Sequence, residues 1–223
     1  MANQLDLEEQ EQLDQLKHFW KQYGNAITWV LIVILGGFAS WNFYQYWQRN
    51  QATQAAALFD EVDRSVQSAD VVKIERVFSE MKDRFGGTIY AKQSALLVAK
   101  QFVEAGKPVQ AKAVLTWVAE QSADKEYQAL AKLRLAAILM NEKDYAATLA
   151  LLSGDFPASF EGLVADRKGD VLILKSDKSA AIVEYEKAWR LLDVRTEYRR
   201  LVEVKLNALG IQVQEQVPLV TGK

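Results

Sequence analysis

Between Lys21 and Arg49 the chain has no Asp, Glu, Lys or Arg, so Gln22 to Gln48 form one uncharged run of 27 residues. As a helix, the stretch Ala26 to Tyr46 measures ~31 Å, matching the ~30 Å hydrocarbon core of a bilayer. Soluble helices rarely run past ~18 residues without a charge, so residues 22–48 read as a membrane-spanning helix rather than a buried core helix. Aromatic rings flank the run. Phe19, Trp20, Tyr23 and Trp29 stand at one end, and Trp41, Phe43, Tyr44, Tyr46 and Trp47 at the other. Amphipathic rings favour the headgroup level, which makes Trp20, Tyr23, Trp41, Tyr44 and Trp47 the expected interface belts.

A cleaved signal peptide fits poorly, because such peptides open on a basic region. Here the preceding tail is acidic, with Asp6, Glu8, Glu9, Glu11 and Asp14 against Lys17 and Lys21, and Ala39-Ser40 is the only small-residue pair offering a cleavage site. Lys17 and Lys21 before the span slightly outweigh Arg49 and the more distant Arg64 after it. By the positive-inside rule this favours the N-terminus inside.

The sequence of 223 residues has a formal net charge of −2, which creates no strong field toward nucleic acid. It has no cysteine and one histidine, His18, which lies before the span. The part after the span therefore lacks the residues for a Ser-His-Asp triad, a Cys-His dyad or a thiolate or imidazole metal site. No P-loop or GxGxxG motif is present, and no cofactor is expected. A site made of carboxylates alone stays open.

After Arg49 the pattern is helical throughout, rich in Ala, Leu, Glu, Lys, Gln and Arg. The expected architecture is all-α: one N-terminal transmembrane helix, then a tetratricopeptide-like α-solenoid of helix pairs. The expected organisation is a tail over 1–21, the span over 22–48, connecting helices over 49–85, repeats over 86–210 and a flexible tail over 211–223. The repeat rests on three turns. Aligning Gly106-Lys107-Pro108, Glu142-Lys143-Asp144 and Ser176-Asp177-Lys178 puts Ala111, Ala147 and Ala181 in register, 36 and 34 residues apart. A 34-residue period of two helices with small residues at the crossings is the tetratricopeptide signature. Ala99, Gly106, Ala111, Ala147, Gly169, Ala181 and Ala188 are the expected packing positions, because a small residue lets two helix backbones approach to ~8–9 Å. In this register the middle copy is irregular, with Leu135 at the small position and Gly154 in place of Ala188.

The block Glu11-Gln12-Leu13-Asp14-Gln15-Leu16-Lys17-His18-Phe19-Trp20-Lys21-Gln22-Tyr23-Gly24, the Gly36-Gly37 pair, Trp41, Trp47-Gln48 and the Ala-rich helix that follows resemble the ancillary SecYEG translocon subunits. Leu133-Arg134-Leu135-Ala136, Gly169-Asp170 and Lys175-Ser176-Asp177 also resemble that family, so the likeness covers nearly the whole chain. The resemblance implies a single-pass protein of the bacterial inner membrane, with an acidic cytoplasmic N-terminal tail and a periplasmic repeat domain. It implies association with the Sec translocon and with a membrane-anchored periplasmic chaperone of the prolyl-isomerase type. A link to a cytoplasmic stress-response regulator is also implied, and no catalytic residues are.

The expected function is a non-enzymatic adaptor whose repeats face a chaperone or an emerging secretory or outer-membrane polypeptide. An anchored scaffold of another envelope assembly would have the same fold and topology. The first helix of each pair lines the concave face of such solenoids. By that register Gln93, Lys100, Lys132, Asp166 and Asp170 point into the groove, although a merely solvated face reads the same at each position.

Overall fold

The computed structural model describes residues 7–213, with side chains described from Glu11. Among the described residues it is all-α, with no strand: α1 (Leu7–Gln67), α2 (Val71–Phe85), α3 (Ile89–Glu104), α4 (Pro108–Gln121), α5 (Lys125–Asn141), α6 (Tyr145–Leu152), α7 (Glu161–Leu174), α8 (Lys178–Leu191) and α9 (Glu197–Ala208). A 3₁₀ turn, Ala158–Phe160, precedes α7. Short polar residues start most of these helices. The side chains of Asp70, Thr88, Asp124, Asp144 and Asp177 each accept a hydrogen bond from a backbone N–H in the first turn. Such a cap is worth about 1 kcal/mol. Pro108 opens α4, where a missing N–H costs nothing.

Two compact units divide between Gln54 and Ala55. In the first, α1 contains a window of mean hydropathy 1.7 with none of it buried, long and apolar enough to cross a bilayer. Three of its polar side chains bond within the helix: Thr28 Oγ1 donates to the Gly24 carbonyl at 2.8 Å, Ser40 Oγ to Gly36 at 2.8 Å and Asn42 Nδ2 to Phe38 at 3.0 Å. Such back-bonding lets polar residues sit where no water reaches. Trp20, Tyr23, Trp41, Tyr44 and Trp47 all have exposed side chains. The Phe19 and Tyr23 rings lie 5.1 Å apart at one end, and the Tyr44 and Trp47 rings 6.4 Å apart at the other. The helix continues without a break past Arg49.

In the second unit, the described residues with positive φ fall at one recurring place. They are Ala69, Gly106, Lys143, Ser176 and Gly210, spaced 37, 37, 33 and 34 residues apart, and each follows a helix end. After α3, α5, α7 and α9 the closure is the same. The N–H of Lys107, Asp144, Asp177 and Ile211 bonds the carbonyl five residues back, on Phe102, Leu139, Leu172 and Leu206, at 2.7 to 3.0 Å. This is the Schellman closure, in which a left-handed residue turns the chain out of the helix.

The turn fixes the repeat register. Five residues after it lie Ile74, Ala111, Thr148 and Ala181, all with 0% exposure. Seven residues before it lie Val62, Ala99, Ala136 and Gly169, all buried. Nine residues after it come the larger Phe78, Leu115, Leu152 and Tyr185, also buried.

The middle copy therefore stands one residue away from the expected register. Thr148, not Ala147, is the counterpart of Ala111 and Ala181, and Ala147 is only partly buried. Ala136, not Leu135, occupies the small position on α5, so this copy is regular at that crossing. Thr148 is tolerated in the core because its hydroxyl donates to the Asp144 carbonyl at 2.7 Å. The real irregularity is α6, which stops at Leu152. The left-handed turn at Ala69 puts Val62, Ile74 and Phe78 in the same register, within the 49–85 segment read from the sequence as connecting helices.

Candidate functional site

The first helices of successive pairs, residues 55–67 of α1 together with α3 and α5, present their free faces side by side. Between them lies a groove of about 600 Å³. Its floor is apolar, from Phe59, Leu96, Leu97, Tyr127, Leu130 and Phe160. Its rim is polar, from Asp63, Gln93, Lys100, Glu126 and Arg134. Periodicity explains the lining. Phe59 and Leu96 are both ten residues before their turn, Asp63 and Lys100 both six. The same face thus recurs from pair to pair. The Phe59 ring is braced from behind by Tyr90, centroids 6.0 Å apart.

Arg134 ties α5 to α3, its Nη1 donating to the Leu96 carbonyl at 2.8 Å. Burial lowers the pKa of its guanidinium from the ordinary value. A second cavity of about 310 Å³, lined among others by Val103, Leu115 and Ile138, shares Lys100 and Arg134 with the first.

Of the five residues expected in the groove, Gln93 and Lys100 line it. Lys132 does not: its ammonium donates to the Asp155 carbonyl at 3.2 Å and sits 5.2 Å from the Phe156 ring centroid, closing the loop after α6. Asp166 is buried, with 0% exposure, and Asp170 is largely covered. Both occupy the register positions of Leu96 and Lys100, but α9 packs over them. Lys205 of α9 donates to both Asp166 oxygens at 2.7 and 2.9 Å and to Asp170 Oδ1 at 2.6 Å. Tyr198 Oη donates to Asp166 Oδ2 at 2.7 Å, and Tyr185 Oη to Asp170 Oδ1 at 2.8 Å. Burial raises the pKa of both phenols, and the carboxylates they bond raise it further. This network locks α7, α8 and α9 together, and its carboxylates are already paired within it.

The helical register by itself pointed at Gln93 and Lys100. It missed Phe59, Leu97, Tyr127 and Leu130, which resemble ordinary core residues in the sequence. Phe160 enters from the 3₁₀ turn, which carries no periodic signal. Among the described residues no group of three or more His, Asp or Glu side chains is arranged to hold a metal ion. The groove offers an apolar floor with charges of both signs at its edge, which suits a polypeptide segment better than a small polar metabolite.

Comparison with known proteins agrees with this architecture. A family described as a tetratricopeptide repeat-like domain matches residues 17–211. A protein of Neisseria gonorrhoeae (strain ATCC 700825 / FA 1090) named ancillary SecYEG translocon subunit is 31% identical over 204 residues, 91% of this chain and 98% of its own length. One of the same name from Haemophilus influenzae (strain ATCC 51907 / DSM 11121 / KW20 / Rd) is 30% identical over 182 residues, 82% of this chain and 89% of its own. A third, from Escherichia coli (strain K12), is 25% identical over 206 residues, 91% of this chain and 97% of its own.

Proposed function

Since the chain belongs to the family of ancillary SecYEG translocon subunits, built on a tetratricopeptide repeat-like domain, we propose that it is a membrane-anchored adaptor at the Sec translocon. The anchor is the apolar part of α1, with the N-terminus in the cytoplasm and the repeats in the periplasm of a bacterial inner membrane. The groove over α1, α3 and α5 is the surface it offers to a periplasmic chaperone of the prolyl-isomerase type or to polypeptides leaving the translocon. The observation that carries this reading is one face repeated from pair to pair along the groove, apolar in its floor and polar at its rim, in a chain that also has an exposed apolar helical stretch of membrane length.

Site-specific photocrosslinking tests the placement. A photoreactive residue replacing Trp47 is expected to give adducts with a translocon subunit, and one replacing Gln93 adducts with a periplasmic chaperone. Products from position 47 that contain only subunits of an unrelated envelope assembly would replace this reading with that of a scaffold elsewhere.

A further inference from the structure

We propose that the groove binds peptide directly and selects an extended segment in which a bulky apolar side chain stands next to an acidic one. This inference rests on the groove being the partner surface. Its first support is the floor. Leu97, Leu130 and Phe160 remain only partly buried at a cavity of about 600 Å³. That volume is within the range of pockets that enclose a ligand of several apolar groups.

Its second support is the state of the rim charges. Lys100 has Glu104 at 3.7 Å, and Asp63 Oδ2 accepts from Gln67 at 2.7 Å. Arg134 differs: it uses one N–H on the Leu96 carbonyl, and no carboxylate of the described residues lies within salt-bridge distance. A guanidinium has five donors in a planar fork, so most of this one faces open space where the two cavities meet. Its partly desolvated position, which lowers its pKa, strengthens its attraction for an anion. Glu126 stands two turns away on the same helix and repels a carboxylate there. The complementary ligand therefore places its apolar side chain on Leu97 and Leu130 and its acid against Arg134.

The test uses full-length protein in detergent micelles and three fluorescein-labelled synthetic peptides. Each carries Phe and Leu beside a variable pair of residues, which is Glu, Gln or Lys. Fluorescence anisotropy is expected to rank them Glu first, Gln second and Lys last. Arg134→Gln should weaken the Glu peptide about tenfold, to the level of the Gln peptide, the size of one charge-assisted hydrogen bond. Arg134→Lys should keep the preference, and Arg134→Glu should reverse it toward the Lys peptide. Leu97→Ser and Phe160→Ser should weaken all three peptides alike, with circular-dichroism melts confirming that each variant is folded. An unchanged Glu-to-Gln ratio in Arg134→Gln overturns the acidic preference alone. Unaltered binding in both apolar variants, or no binding of any peptide to the wild type, overturns the groove as a peptide site.

Discussion

The ring of Tyr185 crosses α7 directly over Gly169, and a Cβ added at Gly169 would lie 2.5 Å from two of the ring carbons. The pair meets at the small and large positions that every copy of the repeat uses, with Ala136 and Leu152, and Ala99 and Leu115, as counterparts. The most voluminous side chain of the series faces the residue with none. This matching keeps helices α7 and α8 close while filling the space between them.

Gly169→Ala must therefore displace a buried ring that is also hydrogen-bonded to Asp170. Overpacking of this kind costs roughly 1–3 kcal/mol. Chemical denaturation of the variant should show a lower midpoint with little change in slope. The double variant Gly169→Ala/Tyr185→Leu, which restores the pairing of the middle copy, should recover much of the loss.

Removing Asp166 strands the Lys205 ammonium and the Tyr198 hydroxyl, which both bond it. Asp166→Ala should cost roughly 3 kcal/mol, the lower end for a broken buried pair, because Lys205 keeps some access to water. Asp166→Leu combined with Lys205→Met should be markedly less damaging, because neither charge is then left alone. Thermal melts of the single and double variants check the order.

Lys143 has a φ of 61°, a conformation that costs a side-chain-bearing residue about 1 kcal/mol and glycine almost nothing. Gly106 and Gly210 already carry glycine at this place. Lys143→Gly and Ser176→Gly are each expected to raise stability by about 0.5–1 kcal/mol, less the extra freedom glycine gives the unfolded chain. A lower melting temperature in both variants would contradict the shared turn geometry.

Alkaline pH should act through two tyrosines. Burial, then the bonds to Asp170 and Asp166, raise the pKa of Tyr185 and Tyr198 above the ordinary value of 10.0. Below pH 10 the hydroxyls are protonated in folded and unfolded chains alike, and their contribution to stability is complete. As the pH climbs above 10, the unfolded chain loses protons that the folded chain holds, so stability falls. The phenolate absorbance of the native protein should show two of its eight tyrosines ionising only with unfolding. Tyr185→Phe/Tyr198→Phe should abolish that delayed fraction.

The fold class and the turns at Gly106, Asp144 and Asp177 were legible because the signals are local. The side chains of Asp144 and Asp177 and the ring of Pro108 act within a turn of the chain, and the uncharged run acts within one helix. The register of the middle copy was not, because Ala146, Ala147 and Thr148 adjoin, and helix propensity makes alanine common without marking a crossing. Only the left-handed turn at Lys143 picks out Thr148, and a backbone angle leaves little trace in a lysine.

By itself, then, the sequence determined an apolar helix of membrane length, an all-helical chain after it, and a period near 34 residues. Each follows from side-chain chemistry repeated along one helix. The tertiary structure decided which of two equivalent faces stays open. Asp166 and Asp170 share their register with Leu96 and Lys100, yet α9 covers the first pair, while the second remains at the groove. The difference lies in helix-to-helix packing between residues more than thirty positions apart in sequence, which no pattern within a single helix can specify.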